Sequence, residues 1–365
     1  MSKEENDSVG YVKKDPRSDL FKTVRGHLQE RLSQSTYVKI AGYYHSCMAR
    51  VVERRTRKSV ETPVPCDQPL VYFSQPPRSG GTLMRNLFDG HPHCHGYPHE
   101  LSWEKNGYRW GSIRQMSATS VYERLYGRWL DKAIVTGLDK KYPFHFNRTL
   151  QKSLFSRLAG SGEEEEREWL DTYMTSFFNA WIDYQSLYGE KKFVVAFCPW
   201  SLRAVDPIDR FFSVYPEGFR VQVVRNPLGW WASEKKYGSH SKSVEEYLHD
   251  RWIQSVETGL RAESKHEEKY VFLHFDDLIR SPEVSMQTLA ERLGLRYTPE
   301  LTRPTINQIP RTSNTSFGPG KRSLDPSVLD RWRDFLEPEE VEKIRSETKT
   351  LYRRVLGKCI NHSQA

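Results

Sequence analysis

The residues from Leu70 to Phe88, LVYFSQPPRSGGTLMRNLF, constrain the fold more than any other stretch of the chain. A short strand-forming run is followed by two prolines and a loop with two glycines, and the apolar spacing then becomes that of a helix. A strand, glycine loop and helix start in this order direct backbone N–H groups toward one point, with the positive end of the helix dipole behind them. The stretch therefore predicts a site for an anionic group, usually phosphate.

The loop differs from the Walker A pattern, which has Gly, four residues and then Gly-Lys-Ser/Thr. No Lys precedes Thr82, and the cation of this loop, Arg78, comes before the glycines. Taken alone, the loop is also compatible with a plain tight turn between a strand and a helix.

Further apolar runs predict strands at 192–198, 219–225 and 270–275. They alternate with predicted helices, which we place at 205–214, from Pro227 onward, at 282–293, at 326–335 and at 338–356. This alternation predicts an α/β, three-layer, P-loop-like fold with a central parallel sheet flanked by helices. Ligands bind such sheets at the carboxyl ends of the strands, where both the loop and Arg225 would lie.

The chain of 365 residues is predicted to hold one large domain with helical additions. We expect a polar tail and a helical N-terminal extension over 1–68, the main domain over 69–357 and a C-terminal tail over 358–365. Residues 20–57 have basic and apolar positions at helical spacing. This pattern is more often a helix packed on its domain, although it also suits peripheral membrane contact.

Charge and cysteine content narrow the possible partners. The 55 Lys and Arg against 47 Asp and Glu leave a net charge of +8, which favours acidic partners such as a nucleotide or an anionic glycan. The basic residues are dispersed and no zinc-finger spacing occurs, so nucleic acid is not expected. The five cysteines include no CxxC pair and predict reduced thiols. No signal-peptide core or run of about 18 apolar residues is present, and we expect a cytoplasmic protein.

The segment from Gly90 to Glu100 has four histidines, which raises the question of a metal site. Pro92, Gly96 and Pro98 oppose the helix that paired zinc-binding histidines usually need, so we predict no metal. The aromatic residues between 101 and 130 fit either an acceptor platform or ordinary core.

The loop from Pro77 to Leu87, followed by His91-Pro92, resembles the 5′-phosphosulfate loop of sulfotransferases that use 3′-phosphoadenosine 5′-phosphosulfate (PAPS). Its form is nearest to the tyrosylprotein sulfotransferases and their bacterial relatives. The resemblance implies that the donor nucleotide is held by the loop residues Arg78, Ser79, Gly80, Gly81, Thr82 and Leu83.

Three later segments extend the resemblance over Pro69 to Leu356. Val223 to Ser233 resembles the 3′-phosphate element, in which Arg225 and Ser233 are two helical turns apart and can hold one phosphate. The segment from His274 resembles a Tyr-Glu-Asp-Leu stretch, with Phe275 as the nucleotide-binding residue. The polar loop 313–322 resembles the segment that folds over the cofactor, which implies donor contacts by Ser316, Lys321 and Arg322.

The resemblance implies an in-line attack by an acceptor hydroxyl, less often an amine, on the sulfur of PAPS. Arg78 and Ser316 would assist at the donor. Glu100 is the predicted general base, because an acidic residue after the second strand has this role in tyrosylprotein-type enzymes. His99 is the second candidate, because cytosolic-type enzymes use a His near this point. Capping of the following helix is the alternative for Glu100.

One position departs from the family pattern. A Lys often follows the third strand, but Phe197 occupies that place here. Arg203, Lys321 or Arg322 must then supply the charge, or activity is weak or lost. Animal enzymes with this loop type are usually Golgi membrane proteins, so the absence of an anchor-like stretch favours a bacterial type.

The sequence thus predicts a PAPS-dependent sulfotransferase acting on a hydroxyl of a small molecule, glycan or glycolipid. The alternatives are a P-loop kinase using ATP and a non-catalytic nucleotide-binding relative. The identity of the acceptor and the oligomeric state are not predicted.

Overall fold

The computed structural model describes residues 62–101, 116–127, 129–138, 144–160, 165–199, 206–238, 243–311, 317 and 324–362. The chain forms two compact units, one of Met1–Glu61 with Ala133–His145 and one of Thr62–Lys132 with Phe146–Ala365. The second unit contains the sheet and the predicted site. The helix predicted within 20–57 lies outside the described residues. No helix of the described ranges has both the length and the apolar character needed to cross a membrane.

A five-stranded parallel sheet forms the centre of the second unit, in the order β2-β3-β1-β4-β5. Its strands are β1 Leu70–Ser74, β2 Cys94–Glu100, β3 Phe193–Cys198, β4 Phe219–Val224 and β5 Tyr270–His274. Every residue of β1, β3, β4 and β5 is buried, as expected for a sheet covered on both faces. The predicted α/β fold with a central parallel sheet is confirmed.

Twelve α-helices occur within the described ranges. They are α1 Gly81–Phe88, α2 Ala118–Tyr126, α3 Trp129–Thr136, α4 Arg148–Leu158, α5 Glu166–Ala180, α6 Asp206–Val214, α7 Pro227–Tyr237, α8 Val244–Tyr247, α9 Gln254–Glu263, α10 Phe275–Arg280, α11 Pro282–Arg292 and α12 Pro338–Leu356. A π-helical turn, Leu248–Ile253, connects α8 to α9, and a short antiparallel pair is formed by β6 Thr305–Ile306 and β7 Ile309–Pro310.

The prediction of a helix at 326–335 is wrong. The chain instead forms two short 3₁₀ turns, Pro326–Val328 and Arg331–Asp334. The Asp325 carboxylate accepts a hydrogen bond from the Ser327 N–H and so caps the first of these turns. The predicted strand at 270–275 also ends one residue early, because Phe275 already begins α10.

The two faces of the sheet pack on different helices. On one face Phe73 belongs to an apolar cluster that includes residues of α1 and α11, and its ring lies 5.5 Å from that of Phe88. On the other face Tyr72 stacks on Phe211 of α6 at 6.0 Å. Tyr122 and Tyr126, two of the aromatic residues that fitted either a platform or core, are buried in this unit.

The C-terminal residues add to the open edge of β5. The Ile360 N–H donates to the Phe272 carbonyl at 3.0 Å. The Asn361 side chain bonds both backbone groups of His274, at 2.7 and 3.0 Å. Asp277 Oδ2 accepts from His274 Nδ1 at 2.7 Å and from His362 Nδ1 at 2.6 Å. These hydrogen bonds attach the C-terminal segment to the sheet.

Replacement of Asp277 by Asn should weaken this attachment. Burial raises the pKa of Asp277, but the hydrogen bonds from His274 and His362 outweigh it and hold the pKa below its usual value. We expect D277N to lower the free energy of unfolding by about 1–2 kcal/mol at pH 7, since hydrogen bonds to a charged group are lost. The measurement is urea unfolding.

The pH dependence of that loss checks its cause. The folded pKa lies below the unfolded value of about 4, so the carboxylate contributes fully above that pH and its contribution is lost as the pH falls through the folded pKa. The difference between D277N and the parent should therefore shrink in acid. D330N is the control, because Asp330 is 65% exposed in its pair with Arg333 and should matter little. An equal loss in both variants would refute the assignment.

Candidate active site

A cavity of about 400 Å³ lies at the carboxyl ends of the strands. All five strands contribute a lining residue at or just beyond their ends. These residues are Glu100 from β2, Phe197 from β3, Gln75 after β1, Arg225 after β4 and Phe275 after β5. The cavity is therefore located where an open parallel sheet is expected to bind a ligand.

The loop after β1 needs its glycines for two reasons. Gly80 has a φ of 97°, a left-handed value that costs other residues strain. A Cβ added to Gly80 would lie 2.7 Å from the Phe275 ring, and one added to Gly81 would lie 1.8 Å from Gln75 Nε2. Gly81 begins α1, so the first N–H groups of that helix lack helical partners. Gly80, Gly81, Thr82 and Leu83 all line the cavity.

The two predicted phosphate-binding elements are in direct contact. Arg225 Nη1 donates to the Arg78 carbonyl at 2.8 Å, and Arg78 Nε donates to Ser233 Oγ at 3.4 Å. The Arg78 guanidinium also lies 4.5 Å above the Tyr237 ring, one helical turn beyond Ser233 on α7. All three predicted residues line the cavity. They form one polar wall from segments that are about 150 residues apart in the chain.

This wall is positively charged. The pKa of Arg225 is lowered to about 10 in total. Burial is the main cause of this pKa shift, the nearby charges of Arg78 and Arg331 also lower the pKa, and Asp276 raises it. Burial also lowers the pKa of Arg78. Both groups stay protonated at neutral pH, and Arg331 lines the same cavity. Mutual repulsion among these guanidinium groups favours an anion at the wall.

Two tryptophans hold the wall in position. Trp230 Nε1 donates to the Pro77 carbonyl at 2.9 Å, and Trp252 Nε1 donates to the Arg225 carbonyl at 3.0 Å. Glu234, next to Ser233 on α7, is paired with Arg251. The sequence reasoning did not identify these supports, although Trp230 falls within the segment that it quoted.

The structure separates the two candidate bases. Glu100 is the last residue of β2, pairs in register with Phe197 and lines the cavity. The neighbouring His99 is not among the lining residues, and its ring stacks on Trp129 at 4.1 Å. The lining of the cavity therefore favours Glu100 over His99 as the candidate general base.

The remaining residues predicted from the sequence fall into three groups: buried in the loop, outside the described residues, or lining the cavity. Ser79 is buried beside the loop, and its hydroxyl has no hydrogen-bond partner among the described residues. Ser316, Lys321, Arg322 and Arg203 lie outside the described residues. Phe197, where the family pattern has Lys, lines the cavity with 5% of its surface exposed.

Several lining residues were missed by the sequence reasoning. Arg331 is a cation at the cavity, and it follows the polar loop of 313–322 by nine residues, a position that no motif marks. Gln75 and Asn86 are buried amides of the glycine-loop region that also line the cavity. Gln75 precedes the stretch that resembles the family loop, and Asn86 lies within that stretch but was given no role.

The histidines between 91 and 99 point to separate partners. His91 Nε2 contacts the Arg296 carbonyl at 2.9 Å and His93 Nδ1 contacts the Glu190 carbonyl at 3.0 Å. His95 stacks on Phe178 at 4.9 Å, and burial lowers the pKa of His95 to about 3. His91 and His93 thus contact backbone carbonyls, and His95 packs against an aromatic ring.

The fold and the basic cavity define a P-loop-like α/β protein with a site suited to an anionic ligand. The model of the sulfotransferase family matches residues 76–299, more than half of the chain, and the chain belongs to this family.

Three sulfotransferases are among the solved structures that are similar to this chain. The sulfotransferase domain of the curacin biosynthetic pathway is 15% identical, with a TM-score of 0.43 over 77% of this chain and 98% of its own. That of the Synechococcus PCC 7002 olefin synthase is 16% identical, with a TM-score of 0.45 over 77% and 95%. The enzyme from Alicyclobacillus acidocaldarius is 12% identical, with a TM-score of 0.42 over 80% and 95%. No curated protein sequence matches the chain.

Replacement of Gly80 by Ala tests the contact between the loop and Phe275. Gly189 is the matched control, because its φ of 96° is nearly the same and nothing lies within 4 Å of its added Cβ. We expect about 1–2 kcal/mol of lost unfolding free energy in G189A from backbone strain. G80A should lose at least about 1 kcal/mol more, because its methyl group also overlaps the ring. Equal losses in urea unfolding would show that the ring contact is unimportant.

Proposed function

We propose that this chain transfers the sulfuryl group of PAPS to a hydroxyl of a small molecule, glycan or glycolipid. The observation that carries the proposal is the contact of Arg78 with Ser233 and Arg225 at one cavity wall beside the glycine loop. Membership of the sulfotransferase family supports the reaction class. An amine acceptor is the less favoured form of the same reaction.

The residues present fit the donor. Arg225 and Ser233 would hold the 3′-phosphate, and the N–H groups of Gly81 to Leu83 with Arg78 would hold the 5′-phosphosulfate. The bond of 3.4 Å between Arg78 and Ser233 is long for a hydrogen bond, so an anion can replace it at little cost. Phe275 covers both Gly80 and Arg225, since its ring centroid lies 4.9 Å from the Arg225 guanidinium carbon.

When bound, PAPS supplies a sulfuryl group on a phosphate leaving group. Glu100 would take the proton of the acceptor hydroxyl as its oxygen bonds to sulfur. The bond from sulfur to the bridging oxygen breaks and its electron pair stays on the phosphate, where Arg78 and the loop N–H groups would stabilise the charge. Positioning and electrostatics thus provide the catalysis, without a covalent intermediate on the protein.

Binding measurements separate this function from its main rival, a P-loop kinase that uses ATP. The rival is favoured by the strand, loop and helix order, and disfavoured by the absence of Lys before Thr82. Isothermal titration calorimetry should show that adenosine 3′,5′-bisphosphate binds at least tenfold more tightly than ATP. A preference for ATP would overturn the proposal.

Replacement of Ser233 by Ala should weaken binding of adenosine 3′,5′-bisphosphate roughly tenfold, because a hydrogen bond to a charged group is lost. Binding of adenosine 5′-monophosphate, which has no 3′-phosphate, should not change. S213A is the control, because Ser213 is an exposed serine that is absent from the cavity lining. A parallel loss for both nucleotides would contradict the assigned role of Ser233.

Replacement of Glu100 by Gln should reduce sulfate transfer from labelled PAPS roughly 10²–10⁴-fold, because a general base is removed. Binding of adenosine 3′,5′-bisphosphate should remain. H99Q is the comparison and should keep most of its activity, since His99 does not line the cavity. The reverse pattern would assign the base to His99. A parent protein that binds the nucleotide but transfers no sulfate would support the non-catalytic alternative.

A further inference from the structure

Gln75 is a buried polar residue at the cavity with no role assigned so far. It directly follows β1, exposes 1% of its surface and lines the cavity. Its Oε1 atom is buried and has no hydrogen-bond partner among the described residues. A buried acceptor without a partner is costly, and such groups are usually retained for a reason other than stability.

The position of the amide is fixed by its neighbours. A Cβ added to Gly81 would lie 1.8 Å from Gln75 Nε2 and 2.8 Å from Phe197 Cδ2. The amide nitrogen therefore packs against the first residue of α1 and lies next to the Phe197 side chain. Phe197 occupies the place of the Lys that often follows the third strand in the family pattern, so the amide lies beside that place.

The placement of the amide nitrogen points to the ligand chemistry. Of the Gln75 atoms, Nε2 lies nearest to Gly81, the cavity-lining residue that begins α1, so the NH₂ group is the end of the amide beside the glycine loop. An NH₂ group only donates, and a sulfuryl group only accepts.

We propose that Gln75 Nε2 donates a hydrogen bond to an oxygen of the sulfuryl group and so replaces the missing Lys with a neutral donor. The inference rests on the proposed function. It accounts for Phe197 without requiring a cation from the loop of 313–322. It also explains why no larger residue fits in place of Gly81, since a side chain there would displace the amide.

The test compares two nucleotides that differ only in the sulfuryl group. Isothermal titration calorimetry without an acceptor would measure PAPS and adenosine 3′,5′-bisphosphate on the parent protein and on Q75L. Leu keeps nearly the same volume but cannot donate. We expect the affinity of Q75L for PAPS to fall roughly tenfold and its affinity for the bisphosphate to change less than about twofold. Q75E should bind PAPS more weakly still, because its carboxylate repels the sulfuryl group.

Q185L is the matched control. Gln185 also has a buried Oε1 without a partner among the described residues, but it is not among the cavity-lining residues. Q185L should bind both nucleotides like the parent, and thermal melting would check that each variant is folded.

Three outcomes are decisive. Unchanged PAPS binding in Q75L would overturn the role of Gln75. An equal loss for both nucleotides would also overturn it, because the side chain would then support the site only as packing. A parent protein that prefers ATP to the bisphosphate would instead refute the proposed function. The two failures are therefore distinguishable.

Discussion

The hydrogen bond from Arg225 to the Arg78 carbonyl is the interaction on which the rest of the site depends. It joins the loop after β1 to the end of β4, and these two strands are neighbours in the sheet. Arg78 has a φ of 66°, an unusual backbone conformation for a residue other than glycine. The buried guanidinium of Arg225 and the indole of Trp230 satisfy the loop carbonyls that this conformation exposes. The same hydrogen bonds therefore fix the conformation of the loop and form the wall of the anion site.

The same interaction has an electrostatic cost. Placing Arg225 in a site where it is 9% exposed, close to Arg78 and Arg331, disfavours its charged form. Asp276 offsets part of this cost, and Asp325 pairs with Arg331 at 3.4 Å. A phosphate bound between the arginines would offset more. The wall therefore gives up some stability of the free protein in exchange for affinity for an anion.

The fold was predictable because its signals are local. The apolar runs at 192–198, 219–225 and 270–275 were assigned to strands within one residue, and strands that alternate with helices imply a parallel sheet. The strand order was not predictable, because β1 pairs with β3 and β4, which are more than a hundred residues away in sequence. The loop residues proposed to hold the donor were chosen through motif spacing, and they line the cavity except for Ser79. Gln75 and Arg331 were missed because their importance arises from contacts between distant segments, which spacing does not record. Local sequence could not separate His99 from Glu100, because the choice depends on which side of β2 faces the cavity.

The position of Glu100 on the outermost strand has an evolutionary consequence. The two arginines proposed to hold the donor, Arg78 and Arg225, follow the inner strands β1 and β4, whereas Glu100 belongs to β2, which pairs with β3 alone and has an irregular register after Gly96. An edge strand with a single neighbour tolerates insertion and reshaping that a central strand does not. Under the proposed function, selectivity for the acceptor can therefore diversify at this edge of the sheet while the proposed nucleotide-binding residues on the inner strands stay the same.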